Sequence, residues 1–353
     1  MQELSMWLDP AREDVLRVVQ LSPNQLDGTL GDLAGVLPSG ASTTEGYYTD
    51  NRVSARLTVI ESQREPYAWL RLVHECPGYE WSEELGTFVV AEEDTTYQDG
   101  TSTTEYDLRS ILWAISSDTQ PFHFSIGAGA TAHAVFQRIC QTVGKEGRIL
   151  AGAGDYRYSD SVVYDVGNSY LSDLFDVAST AGDRLNVDGH GNITLGPYTP
   201  PRQRDPDWVL DASAQRSIVL DSGGIKVEDT TGQATSRVVV AYKSGDTEIN
   251  AGADVDSGSP YSSARRGYTI AETKQVTDMS PATQAQADAV ARQDLALNTA
   301  DAGRVRSCKC LYFPVHAGDV VEWREGLSST KYLVKQCDRD LEDWTVSLEL
   351  KEV

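Results

Sequence analysis

The chain has 353 residues, room for two to four modules, and its 40% hydrophobic and 24% charged residues are the balance of a globular protein. Fifty-three acidic against thirty basic residues give a formal net charge of −23, which excludes tight binding of nucleic acid through phosphates, because that needs clustered Lys and Arg. No apolar run is long enough to cross a bilayer, and the opening MQELSMWLDPARED lacks the basic-then-apolar order of a secretory signal, so neither export nor stable membrane binding is expected.

Period-two patterns dominate the first third. RLTVIES (56–62), YAWLRLVHEC (67–76) and GTFVVAEED (86–94) are rich in β-branched and aromatic residues and are separated by turn formers. TSTTEYDLRSILWAI (101–115) starts as a strand and ends with helical spacing at Leu108, Ile111, Leu112 and Ile115. Residues 1–118 therefore read as a small β-barrel or sandwich with one short helix, and the Gly- and Thr-rich stretch 38–50 as a long loop within it.

The pattern changes near Pro121. FHFSI is a short strand, and Thr131 is placed to cap a helix AHAVFQRICQTVG that stops at Gly144. NSYLSDLFDVASTAG (168–182) reads as a second helix, and RLNVDGHGNITL (184–195) as a hairpin turning at Asp-Gly and Gly-Asn. Residues 119–207 form an α+β module that ends in the extended linker YTPPRQRDPDW, with prolines at 200, 201 and 206.

SIVLDSGGIKVED (217–229) carries a hairpin signal, and SRVVVAYK (236–243) is apolar enough for a buried strand. A polar stretch follows to residue 270. Ser280–Pro281 then opens an Ala-rich helix reaching about Ala300. RVRSCKCLYF, GDVVEWRE, KYLVKQCDRD and WTVSLELKE close the chain as strands. The organisation is β-rich α+β: 1–118, 119–207, 208–243 with 302–353, and a helical insertion at 244–301.

The chemistry-bearing motifs resolve into structure. Gly127 and Gly129 in SIGAGATAHAVF sit where a dinucleotide fingerprint would, but Ala132 holds the third glycine place and the βαβ context is lacking. LDSGG (220–224) echoes a protease nucleophile without an upstream histidine partner and reads as a turn. Five cysteines are an odd number, and Cys308 and Cys310, two apart on a strand, are read as core thiols rather than zinc ligands. His74, His123, His133, His190 and His316 show no ligand spacing, and Asp254 with Asp256 lacks a calcium-loop register. No catalytic residue, cofactor or metal is expected. Trp69, Trp113, Trp323 and Trp344 fall inside periodic segments, whereas Trp81, beside Tyr79 in CPGYEWSEELG, is the aromatic placed to meet a partner.

Taken in order, these pieces resemble the hub proteins of phage tails, including minor tail proteins of siphophages infecting actinobacteria and the baseplate hub of contractile phages. The matching runs are TTEYDLRSILWAI, TAHAVFQRICQTVG, NSYLSDLFDVASTAGDRLNVDGHGNITL, the linker YTPPRQRDP, SRVVVAYKSG, SPYSSARRGYTI, SPATQAQADAVARQDLALNTA and FPVHAGDVVEW. They span nearly the whole chain. The resemblance implies two tail-tube-like barrels, each followed or interrupted by a smaller insertion, and a homotrimer making a six-part ring. It implies contacts with a distal tail protein, a tape-measure protein and tail fibres, and DNA passing only transiently through a lumen at the virion's tail tip. No lysozyme, peptidase or fibre extension is found before Val353, so a structural rather than enzymatic role is expected. Acids on strands, Glu92, Glu93, Asp94, Glu228 and Asp229, are the candidates for a negative lumen wall that repels phosphate. The rival readings are a carbohydrate-binding adhesin using Tyr79 and Trp81, and a tail-associated cell-wall hydrolase.

Overall fold

The structure, a computed structural model, describes residues 4–23, 25–155, 157–158, 161–214, 217–220, 224–244, 247–259, 261–277, 284–300 and 303–353. The chain forms two compact units, one of residues 1–224, 308–349 and 353, the other of 225–307 and 350–352. In chain order the elements are β1 (Val15–Ser22), β2 (Gln25–Asp32), β3 (Val36–Gly46), β4 (Val53–Ile60), β5 (Trp69–Cys76), β6 (Trp81–Gln98), β7 (Thr101–Arg109) and α1 (Ile111–Ser116). Then come β8 (Phe124–Ile126), α2 (Ala132–Thr142), β9 (Gly147–Ile149), β10 (Val162–Tyr164), α3 (Tyr170–Ala181), β11 (Asp183–Val187), β12 (Ile193–Pro197) and β13 (Trp208–Asp211). The remainder is β14 (Lys226–Asp229), β15 (Arg237–Ser244), β16 (Thr247–Asp254), α4 (Ser263–Arg266), β17 (Ala271–Thr277), α5 (Gln284–Ala300), β18 (Arg304–Leu311), β19 (Val320–Glu325), β20 (Ser328–Asp340) and β21 (Thr345–Glu352).

In the first unit one antiparallel run of strands proceeds β20-β3-β4-β7-β6-β5-β1-β2, while β19 joins β20 antiparallel and β13 joins β19 parallel. Alternation does the sorting: Ala55, Leu57 and Val59 of β4 turn inward while Arg56 between them turns out. Gly86 shows why one residue is dictated. It lies at φ +152° beside a register shift in β5, and a Cβ there would stand 2.5 Å from the Phe88 ring.

Two expectations are corrected here. The stretch 38–50 is not a long loop: β3 runs through it to Gly46, irregular between Leu37 and Ser42, because β4 and β20 on either side supply hydrogen-bond partners to a Thr-rich segment. Residues 217–229 are not a hairpin. Val219 bridges Cys310, and Lys226–Asp229 pairs with 304–307, so each half pairs with β18 instead of with the other. The Asp221–Gly223 part of that motif lies outside the described residues. β1 and β2, which no motif singled out, supply the far edge of the sheet.

The segment 119–207 shares a core with the sheet. Val135, Phe136 and Ile139 of α2 and Leu171, Leu174 and Val177 of α3 pack with Ile111, Leu112 and Ile115 of α1, and with Val19, Leu21, Trp69 and Val73 from β1 and β5. Each such side chain contributes about 1.5–3 kcal/mol on burial. Thr131 accepts the Ala134 N–H as N-cap of α2, Ser169 accepts the Ser172 N–H as N-cap of α3, and Gly182 at φ +72° ends α3. β11 and β12 pair as the expected hairpin. Residues 198–208 carry one short turn, and Arg204 fixes it by donating to the Gly318 carbonyl at 2.7 Å.

In the second unit β15 pairs antiparallel with β16 and parallel with β17. The stretch after 243 therefore contains strands as well as polar loops. α5 lays Ala287, Ala291 and Leu295 on Val238, Val240, Ala251 and Ala253. The Ser280–Pro281 cap lies outside the described residues.

Candidate functional site

A dense polar cluster of the first unit joins residues from across the chain. Glu45 lies on β3, Glu83 on β6, Arg339 on β20, and Tyr312 and His316 between β18 and β19. In the β3–β20 register Arg339 faces Thr43, which puts it diagonal to Glu45 on the same face. Arg339 donates to Glu45 Oε1 at 2.8 Å, to the Val315 carbonyl at 2.6 Å and to Thr43 Oγ1 at 3.3 Å. His316 bridges the two carboxylates, with Nδ1 3.1 Å from Glu45 and Nε2 2.7 Å from Glu83. The Ala317 N–H and the Tyr312 hydroxyl complete the two acids, at 3.1 and 2.8 Å.

The electrostatics follow from two anions facing two cations in low dielectric. Burial would raise the Glu45 pKa, but Arg339 and His316 outweigh it and hold the carboxyl far below its usual range. Burial would lower that of His316, but Glu45 and Glu83 push it up to about 10. The imidazole is 42% exposed, so water screens part of that effect. The cluster is a charge-neutral clamp. Nothing in it resembles a nucleophile with its base.

His316 and Glu45 form one wall of a cleft of about 230 Å³, lined also by Arg52, Glu84, Arg184 and Asp188. Arg52 and Arg184 both donate to the Tyr47 carbonyl, and the Arg184 guanidinium lies 3.5 Å from the Tyr47 ring centre. Burial and the neighbouring Arg184 charge lower the Arg52 pKa to about 10. Two adjacent guanidiniums can hold a carboxylate in a strongly acidic chain.

The residues expected to carry function fall elsewhere. Glu92, Glu93 and Asp94 are exposed on the outer half of β6, and Glu93 pairs with Arg64 at 2.8 Å. Glu228 and Asp229 are exposed on β14, paired with Lys226 and Arg304 respectively. Three of the five candidate acids are thus partly neutralised by cations of their own unit. Tyr79 is 41% exposed and donates its hydroxyl to Asp9. Trp81 is half-buried, its ring 4.8 Å from Trp7 and 5.0 Å from His74. It therefore serves an internal aromatic cluster, which is why Tyr79 alone of the pair offers a large open face. Trp69 and Trp323 are buried, as their strand positions imply, while Trp113 and Trp344 are half-buried. All five cysteines are buried thiols, with Cys308 and Cys310 side by side at 4.0 Å between sulfurs.

Glu45, Glu83, His316 and Arg339 were not singled out from sequence. Glu45 and His316 are 271 residues apart, and no local pattern marks either.

No protein-family model matches this chain, and no curated protein matches it. Solved structures do. A tail protein from Neisseria meningitidis MC58 superposes with a TM-score of 0.69 at 11% identity, over 96% of each chain. The 43 kDa tail protein of prophage MuSo2 from Shewanella oneidensis superposes with 0.68 at 11% identity, over 96% of this chain and 98% of that one. The E. coli c3393 protein, a type VI secretion component described as similar to the T4 tail proteins gp27 and gp5, gives 0.51 at 10% identity, over 98% and 76%. This chain has the β-rich fold of tail and hub-like proteins.

Proposed function

We propose that this chain is a non-enzymatic structural hub subunit at the tip of a phage tail. The observation that carries the reading is the end-to-end fold match, 96% of both chains, with a tail protein that shares only 11% of its residues. A fold kept over nearly the whole chain at that divergence is the analogy on which the shared assembly role rests. In this reading 1–118 and 208–243 with 302–353 act as tube-like barrels, although β15 within them pairs with β16 and β17, and 119–207 and 244–301 act as insertions. Three copies close a pseudo-sixfold ring that continues the tail tube. Closure removes exposed strand edges. The ring binds a distal tail protein, a tape-measure protein and fibres, and DNA passes through without lodging.

Native mass measurement of the purified chain, alone and with its tail neighbours, is the test. A three-chain complex that images as a ring supports the hub; a chain that stays monomeric with its neighbours and is absent from tails overturns it. Glycan binding by the isolated monomer would favour an adhesin, and wall release abolished by one acidic substitution would favour a hydrolase. Lysines in place of Glu92, Glu93, Asp94, Glu228 and Asp229 should slow DNA ejection, most at low salt. Ejection unchanged at two ionic strengths would remove the lumen role of these acids.

A further inference from the structure

Apart from the cleft, three metal-competent atoms converge at one end of the first unit's sheet. Asp14 immediately precedes β1, and His74 and Cys76 stand two apart on β5, so their side chains leave the strand on one face. Asp14 Oδ1 lies 2.7 Å from His74 Nε2 and 3.3 Å from Cys76 Sγ, and Sγ lies 3.5 Å from Nε2. His74 and Cys76 are fully buried, and the Asp14 side chain is 9% exposed. Aromatic rings wall the group: Trp344 stacks on the imidazole at 4.0 Å, and Tyr312, Trp81 and Trp7 stand 4.4, 5.0 and 6.3 Å from it. Arg12 grips both carboxylate oxygens, Nη2 on Oδ2 at 2.9 Å and Nε on Oδ1 at 2.9 Å, and so fixes the carboxylate with Oδ1 also facing the imidazole and the thiol.

We propose that Asp14, His74 and Cys76 form a binding site for a thiophilic divalent cation of the zinc class. Three atoms with these separations lie on a circle of about 1.9 Å radius. A cation about 1 Å out of their plane therefore stands roughly 2.1 Å from each, close to the Zn–N, Zn–O and Zn–S range of about 2.0–2.3 Å. The donor set, one thiolate, one imidazole and one carboxylate, suits zinc better than a hard cation, which takes oxygen. No fourth His, Cys, Asp or Glu joins the group among the described residues, so a water takes the remaining place. Arg12, bonded to both oxygens, orients the carboxylate from outside, as outer partners of metal ligands do.

The proton balance is defined. Without the cation, Nε2–H and Sγ–H both donate to Oδ1. On binding, the imidazole proton moves to Nδ1, which is buried and has no partner in the structure, and the thiol proton leaves to solvent. One proton is released per cation, so affinity rises with pH. The bound cation ties Asp14, at the foot of the N-terminal segment, to the end of β5. This site is independent of the hub reading and stands or falls without it.

The full chain, stripped with a chelator, is titrated with Co2+ and then Zn2+. One equivalent should produce a thiolate-to-cobalt charge-transfer band in the near ultraviolet and release one proton, and Zn2+ should abolish the band and raise Tm. Cys76→Ser should lose the band while Cys310→Ser keeps it. No band in the wild type, or a band that survives in Cys76→Ser, overturns the proposal. If Cys76→Ser does not fold, X-ray absorption of the zinc-loaded wild type decides. One sulfur with nitrogen and oxygen neighbours supports the site, and a shell with no sulfur or with several overturns it.

Discussion

In the first unit the core is made of large side chains, Trp208, Trp323, Phe88, Phe136 and Phe313 among them, each all but inaccessible. Among the described residues of the second, the core cluster is Val238, Val240, Ala251, Ala253, Ala287, Ala291 and Leu295. Buried ion pairs, Arg339–Glu45 and Arg12–Asp14, stand in the first unit beside exposed ones such as Arg17–Asp32, whereas Arg237–Asp254 and Arg304–Glu352 of the second lie open to water. A core of large apolar groups has stability to spare for desolvating charges, and once desolvated those charges interact strongly. A core of alanines lets a helix approach its sheet closely but removes little surface from water, so surface pairs there add little.

The largest effect that would sharpen this contrast is expected at Arg339. Arg339→Met removes the buried guanidinium from Glu45, leaving it His316 and the Ala317 N–H, and should destabilise the first unit by about 3–5 kcal/mol in urea unfolding. A loss below about 1 kcal/mol would mean the pair is not desolvated. Leu174→Ala, at a position fully buried between α2 and α3, should cost about 2–5 kcal/mol. Hydrogen exchange should show the loss in the first unit's strands and helices.

Overpacking tests the second unit. Ala291 is fully buried, so Ala291→Leu should cost about 1–3 kcal/mol and speed exchange in β15 and β16. A neutral result would show a cavity between α5 and its sheet.

The pH dependence should separate the units as well. The Glu45 pKa is depressed, so its contribution is present above about 4.5, the ordinary value, and is lost as pH falls below it. His316 is raised from 6.5 to about 10, so its contribution is whole below 6.5 and is lost as pH rises through 10. The first unit should therefore be most stable between those limits, and His316→Gln should flatten the alkaline limb of its Tm-against-pH curve. An unchanged limb would assign the loss to another group. The smallest effect is expected at Glu93→Gln, which breaks a pair with a 43%-exposed carboxylate and should cost about 0.2–1 kcal/mol.

Much of the fold was legible because its signals are local. Thr131 announces a helix start, Gly182 announces a stop, and Asp188–Asn192 announces a tight turn, since each satisfies backbone groups within a few residues. Alternation marked β4 to β7 and β18 to β21 because one face of each meets apolar neighbours. Where local cues misled, a distant partner had decided. The stretch 38–46 became a strand because β20 pairs with it from nearly three hundred residues on, and Val219 bridged Cys310 although a turn beside it looked sufficient.

By itself, then, the sequence determined many of the element types, the acidic balance and the thiol character of its cysteines, all properties of residues and their near neighbours. Tertiary structure alone decided which strands pair and which side chains meet. His316 reached Glu45 and Glu83, and Asp14 reached His74 and Cys76, only when sheet register brought segments 60 to 271 residues apart within hydrogen-bond range. Register depends on summed burial over whole strand faces, and no single motif encodes that sum.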